Sequence, residues 1–349
     1  MDPGRDSAPL RVTSAEEVRA LAVESGFDLC GFARPEPIPP DVLLPWLEAG
    51  QSADMDWLAA RAADRLDPRR LLPDARTVIS LACNYWTEEA PGTEGSPIAR
   101  YARGRDYHAT LRDRLRTFRR LLRTRYPGLE TYGSVDHGPF MEKVWAARAG
   151  LGVVARNGCL VTPRFGSWVV LAVLLVELEV DAYAGAPGTD RCGTCRLCVD
   201  ACPTDALDGA GGVDARACLS YQTIENDGPV PAVHREAMAT HVFGCDVCQD
   251  VCPLNAIPVP AAGPRFLSRA VAGLDARGLA ALSSAEYQRL VPGTALARAG
   301  YDGLRRNAAY ALGAARDAGA RGVLERLAED PSPVVSDAAR WALARLSPS

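Results

Sequence analysis

Eight of the eleven cysteines in this 349-residue chain fall between Cys192 and Cys252. A disulfide framework would spread its cysteines through a small secreted domain. Here the spacing gives a different answer. Cys192-x2-Cys195-x2-Cys198-x3-Cys202-Pro203 is the bacterial ferredoxin run. In that run three thiolates hold one cubane and the fourth cysteine ligates the other cluster. A second run, Cys245-x2-Cys248-x3-Cys252-Pro253, is one cysteine short, and Cys218 between the runs can supply it. The ferredoxin pattern then assigns Cys192, Cys195, Cys198 and Cys252 to one [4Fe–4S] cluster, and Cys202, Cys218, Cys245 and Cys248 to the other. A zinc ribbon would want two CxxC pairs and would leave the Cys-Pro elements unexplained. Two clusters in one chain imply a relay with an electron acceptor near one end. The bland alternative is that they only staple the fold. Cys30, Cys83 and Cys159 lie among apolar neighbours and read as small core residues.

Elements of both kinds precede the cysteine block. Ser14-x-x-Glu17 is a capping box for a helix that Gly26 ends, with Val18, Leu21 and Ala22 on one face. Residues 28–32 and the β-branched run 77–85 read as strands. Residues 88–97 read as a surface loop and 106–125 as a long helix. Ser134 to Pro139 reads as a strand end, a turn and a helix start, the helix running to about Gly150. Residues 160–162 and 168–178 are expected to pair as strands around 163–166. The longest apolar run, residues 168–176, is far short of the roughly 20 residues that a membrane span needs. A Gly/Ala/Pro linker, 181–190, leads into the cysteines. From Leu267 onward the chain is rich in Ala, Leu and Arg and reads as all helix. Its segments 307–312 and 337–343 echo each other, as in a HEAT-type repeat, although a plain helical hairpin would also fit.

The net charge is −4, which excludes a uniformly basic coat but not a basic patch. Residues 100–125 carry ten arginines against two aspartates. They form either a solvated helix face or a phosphate-facing surface. The tail adds Arg305, Arg306, Arg316, Arg321 and Arg326, with Arg305-Arg306 expected just ahead of the repeat helix, where backbone N–H groups could meet a phosphate. The first ten residues, MDPGRDSAPL, show no secretory address, so the cytoplasm is expected.

In combination, several motifs resemble the epoxyqueuosine reductase family. They are Gly244-Cys245-Asp246-Val247-Cys248-Gln249 with Cys252-Pro253-Leu254-Asn255, and Val135-Asp136-His137-Gly138-Pro139 with Glu142-Lys143. Arg65-x-Asp67-Pro68, Arg103-Gly104-Arg105-Asp106-Tyr107-His108 and Asn157 through Gly166-Ser167 complete the set, in order along nearly the whole chain. The resemblance implies an α+β architecture in three parts. A reductive-dehalogenase-like α/β cobalamin domain would span 1–180, a ferredoxin-like module with two [4Fe–4S] clusters 181–260, and a HEAT-like tRNA-binding tail 261–349. It implies reduction of epoxyqueuosine to queuosine in a tRNA anticodon loop, with cob(II)alamin as cofactor. The partners implied are the tRNA anticodon arm and an external low-potential electron donor. No membrane is involved and a monomer is expected. A corrinoid iron–sulfur reductase of a small molecule is the alternative. A bare electron carrier needs only about 60 residues and would leave most of the chain without a purpose.

Deoxygenating an epoxide to an alkene takes two electrons and two protons and releases water, so a positioned acid is needed. Asp136 is the candidate acid, with a pKa raised by burial. Its bland reading is a helix N-cap just before Pro139. No Asp-x-His-x-x-Gly cobalamin motif is present, so the resemblance implies a base-off cobalamin not held by histidine. By carry-over its contacts are Arg65, Ala99, Asp136, Ser220, Asp246 and Val247. Arg65 could otherwise be a surface partner of Asp64 or Asp67. His137 stands where the family pattern leads one to expect a small or hydroxyl residue.

Overall fold

The computed structural model of the protein describes residues 12–89, 95–185, 188 and 190–346. The first ten residues and parts of the 88–97 loop and the 181–190 linker lie outside them. The centre of the N-terminal half is a four-stranded antiparallel sheet in the order Leu29–Ala33, Thr77–Asn84, Val169–Val176, Thr131–Ser134. All eight residues of Thr77–Asn84 are buried, because both faces of the sheet are covered. Ile79, Leu81 and Cys83 point to a core shared with Phe27 and with Leu111, Leu115 and Phe118 of the arginine-rich helix Tyr107–Arg125. Val78 points the other way, to Trp145 of helix Glu142–Arg148 and to Phe140. An antiparallel sheet with helices on both faces is an α+β arrangement.

Most of the local readings hold within a residue or two. Helix Ala15–Glu24 starts at Ser14, whose side chain accepts from Glu16 N, and Gly26 follows at φ +91°. Asp106 caps Tyr107–Arg125. Three expectations fail. The capping box at Ser14 is not formed, because the Glu17 carboxylate turns to Arg125 and Tyr126. Residues 160–162 do not form a hairpin with 168–178. Leu160–Val161 pairs with Val153–Val154, and only a Thr162–Gly166 bridge joins the two sides of the turn. Nor does a helix start at Pro139: the next one begins at Glu142, so Asp136 is not an N-cap. The turn after Ser134 instead stays open as a loop.

The tail is not a separate body. Helix Gly300–Ala314 packs against Leu219–Ile224 and Ala232–Met238, and one apolar core joins Leu219, Val230, Met238 and Phe243 to Leu296, Leu304 and Ala308. Arg306 is 1 % exposed and lies inside this joint. Its guanidinium donates to the carbonyls of Gln222, Asn226 and Gly228, while Asn307 Nδ2 donates to the carbonyls of Thr223 and Val242. Arg305 is buried too and pairs with Asp330. Both arginines lie inside Gly300–Ala314 rather than ahead of a helix. The expectation that they meet phosphate is therefore overturned: Arg306 holds the tail to the cysteine module, and Arg305 pairs within the tail. Arg316, Arg321 and Arg326 remain exposed.

Candidate active site

Sheet strand Thr131–Ser134 delivers the chain into a three-residue turn, closed by His137 N donating to Val135 O at 2.6 Å. Asp136 is the middle residue, at φ +59°. A non-glycine residue in this conformation is strained, and such strain collects at functional loops. Two neighbours keep the turn in shape. A Cβ on Gly138 would come within 2.0 Å of Ser134 Oγ, so only glycine fits there. Arg65, 8 % exposed, donates to Phe140 O at 3.1 Å and Gly138 O at 3.4 Å. Asp64 and Asp67 are taken by Arg61, Arg70 and Arg69, so Arg65 is not their surface partner. It braces the Asp136 loop instead.

The Asp136 side chain is 60 % exposed, facing a cleft. One carboxylate oxygen accepts from Tyr107 Oη and bonds His108 Nε2, both at 3.0 Å. The His108 Nδ1 atom meets Asp106 Oδ1 at 2.8 Å, so neither ring nitrogen is free for a metal. Burial opposes a charge on this imidazole, but the two carboxylates outweigh it and hold its pKa up at about 9. Surrounding protein pushes the Asp136 carboxyl up, yet His108 and Tyr107 more than offset this and leave it below the usual range. This corrects the expected raised pKa. The proton of the pair rests on His108, and the Asp136 carboxylate accepts its hydrogen bond. His137, the departure in the motif, sets its ring edge-on to His108 at 4.4 Å.

Asp136, Tyr101 and Tyr107 stand between two cavities. The inner one, about 380 Å³, also reaches Glu142, Cys159 and Gln249. The outer one, about 520 Å³, opens between Trp57, Glu225 and Arg298, where all three parts of the chain meet. Arg298 bonds Glu225 and lies over the Trp57 ring at 5.5 Å.

The cysteines gather behind the inner cavity. Cys192, Cys195, Cys198 and Cys252 line a hollow of about 130 Å³. Cys202, Cys218, Cys245 and Cys248 lie near enough to feel one another's charge. Among the described residues no three potential ligands converge on a single-ion site. Cys159 is no ordinary core residue: its thiol lies against that of Cys248 and also borders the inner cavity. Gln249 Nε2 donates to Tyr85 Oη and Ser167 Oγ, and Asn255 Nδ2 also donates to Ser167 Oγ. These bonds lock the second cysteine run onto the sheet domain.

Of the carried-over contacts, Asp136 lines both cavities. The Asp246 carboxylate accepts from Arg100 N at 2.7 Å, next to Ala99, and Val247 follows as the start of helix Val247–Asp250. Ser220 stands beside Cys218 on helix Leu219–Ile224, whose last residue lines the outer cavity. Glu142, Tyr107 and His108 were visible only as motif letters. Their joint role depends on a loop and two helices meeting in space, which spacing along the chain does not encode.

Comparison with known proteins matches this geometry. Residues 65–137 fit the family model for epoxyqueuosine reductase QueG, DUF1730, and residues 191–255 fit a 4Fe-4S double cluster binding domain. An epoxyqueuosine reductase of Gloeobacter violaceus is 40% identical over 319 residues, covering 87% of this chain and 97% of that protein. One from Xanthomonas campestris is 34% identical over 95% of this chain and 96% of its own length. An epoxyqueuosine reductase solved with an epoxyqueuosine-modified tRNA-Tyr stem loop superimposes with a TM-score of 0.86 at 30% identity, covering 95% of this chain and 89% of that one. A Bacillus subtilis epoxyqueuosine reductase, solved with its catalytic aspartate loop swung out of the active site, gives 0.85 at 29% identity, with 95% and 90% covered. No helix among the described residues is long and apolar enough to cross a membrane. With a strained aspartate loop beside a cysteine module and relatives of this extent, the chain belongs to the epoxyqueuosine reductase family and is an oxidoreductase.

Proposed function

We propose that this protein reduces epoxyqueuosine to queuosine in the anticodon loop of tRNA, with a cobalamin bound at the cleft that Asp136 borders and two [4Fe–4S] clusters behind it. The observation that carries the reading is the placement of Asp136 on a cavity whose far wall touches the cysteine module through Cys159 and Cys248. The residues suit a corrinoid. The cleft has tyrosine walls, and Arg65 Nε, in the brace of the Asp136 loop, is buried without a partner. Asp136, the backbone around Ala99, Asp246 and Val247, Ser220, and Arg65 through its loop would hold the group. A bound cobalamin supplies the electron pair for opening the epoxide, refilled one electron at a time by the clusters.

This chain's own residues handle position and protons. The outer cavity takes the everted base, since a reacting group cannot enter a stacked loop. Trp57 offers a ring for stacking, and Arg298 and Glu225 border the opening. His108 passes its proton to Asp136, which faces the leaving oxygen. The functional units are those read from the sequence, 1–180, 181–260 and a HEAT-like 261–349. The setting is the cytoplasm, the chain acts as a monomer, and an external low-potential donor feeds the clusters. Anaerobic reaction with epoxyqueuosine tRNA, followed by nucleoside mass spectrometry, tests the reading. Queuosine formed only with cobalamin and reductant present is the expected result, and no queuosine under those conditions overturns it.

Two cubanes require about eight irons per chain. Cys218→Ser should lower that number sharply, and a wild-type content near four with Cys218 dispensable would remove the second cluster. For tRNA, the exposed arginines of Tyr107–Arg125 are the electrostatic candidates. Arg116, Arg119, Arg120 and Arg123 line one groove of about 440 Å³. Arg116→Ala with Arg120→Ala should weaken tRNA binding and flatten its dependence on salt by roughly 0.7–0.9 for each phosphate no longer neutralised. An unchanged salt slope would make this face merely solvated.

A further inference from the structure

Reduction of an epoxide to an alkene breaks both C–O bonds, forms the C=C bond and releases the oxygen as water. The electron pair comes from the reduced cofactors, and the oxygen needs two protons. The His108–Asp136 pair holds one of them. The other needs a holder of its own.

Glu142 is placed to be that holder. It is the first residue of helix Glu142–Arg148 and borders the inner cavity together with Asp136. Its Oε1 atom is buried and accepts no hydrogen bond. A carboxylate in that setting forfeits its hydration for little more than a bond from its own backbone N–H, whereas a neutral acid loses far less. The charged groups facing it are Asp136 from the loop, Arg65 from helix Ala62–Leu66 and Lys143 from its own helix. Arg65 spends its Nη1 donor on the carbonyls of Gly138 and Phe140, and Lys143 Nζ donates to Gly158 O at 2.6 Å. Neither cation forms an ion pair with Glu142, while the nearby Asp136 anion disfavours a second negative charge.

We propose, resting on the proposed function, that Glu142 is the second proton-holding residue of the inner cavity, kept as a neutral carboxylic acid and delivering the proton that the His108–Asp136 pair does not. Burial, with Asp136 adding to it, lifts its pKa to about 7. The folded state therefore binds a proton that the unfolded state has already released, and stability falls as pH rises from about 4.5 towards 7. The carboxyl is destabilising at pH 8, which suits a residue retained for chemistry rather than for packing.

Three measurements on the full-length, cluster-loaded protein test this. In infrared difference spectra, the wild type should show a protonated carboxyl band that titrates away near pH 7 and is missing from Glu142→Gln. In thermal melts, E142Q should exceed the wild type in Tm at pH 8, with the gap closing at pH 5. In turnover, it should lose about 10²-fold or more in kcat with the pH 7 limb gone, and Glu142→Asp should restore part of the rate. Iron content and cobalamin binding should be unchanged. Absence of the carboxyl band at pH 6 overturns the proposal whatever the activity. So does an E142Q enzyme of normal rate and unaltered pH profile. A wild type that holds the proton but makes no queuosine defeats the proposed function instead, and with it the delivery step.

Discussion

Asp136→Asn is expected to lower turnover by about 10²–10⁴-fold, the usual worth of a positioned acid–base group. Asparagine keeps the shape and can still bond Tyr107 and His108, but it cannot take a proton from the imidazole and pass it on. Loss of the carboxylate also removes one of the two anions that hold His108 at about 9, so its titration should move down towards 6.5. The same change removes an anion beside Glu142, whose pKa should fall from about 7. Proton NMR of His108 and the kcat–pH profile measure both effects. In the wild type, activity should fall as pH rises through 9, where His108 loses its proton. The pair is also weakened at low pH, as the Asp136 carboxylate becomes protonated below its ordinary 3.8. Iron content should not change. Near-normal turnover in the variant would strip Asp136 of its role in proton transfer.

Removing the chain after Pro264 is expected to destroy the cysteine module, not merely to weaken tRNA binding. Leu296, Leu304 and Ala308 are fully buried in a core shared with Leu219, Met238 and Phe243. Each large apolar side chain exposed costs about 1.5–3 kcal/mol, and several would be exposed together. The carbonyls of residues 222, 226 and 228 would lose the Arg306 donors as well. The truncated chain should therefore lose iron and its cooperative melt. Arg306→Met tests the joint without deleting it. It leaves those carbonyls without partners, at about 1–3 kcal/mol each if they stay dry. Its Tm should fall markedly, and iron should be lost on mild heating. If the truncated protein kept its full iron content and a sharp melt, the tail would be a separable domain after all.

The cysteine spacing was legible because cluster ligation is a local rule. Three ligands on one tight loop and a Cys-Pro step leave few other readings, and the four cysteines lining one hollow are those that the spacing put together. The sheet strands were legible for a similar reason: long β-branched runs bury on both faces. The strand partners were not. Leu160–Val161 pairs upstream with Val153–Val154 across a turn at Asn157-Gly158, where Gly158 stands at φ +70° and its N–H donates to Ala155 O, and Gly152 lets the backbone approach Val161.

Charge is the least legible property. Arg305 and Arg306 look like surface cations in the sequence, and only the docked helices reveal them as donors to buried carbonyls and as a buried ion pair. The pKa of Asp136 departs from expectation because nothing in the sequence says that His108, 28 residues away, will meet its carboxylate. Cys159 reads as a core residue because nothing local marks its contact with Cys248. Sequence alone thus determined the ligand types, their spacing, the strands and the family motifs, all consequences of short-range chemistry. Tertiary structure decided protonation, burial of charge and the union of tail with cysteine module. Those depend on which distant groups share a low-dielectric space, and a pKa or a buried arginine is a property of that space rather than of the residue.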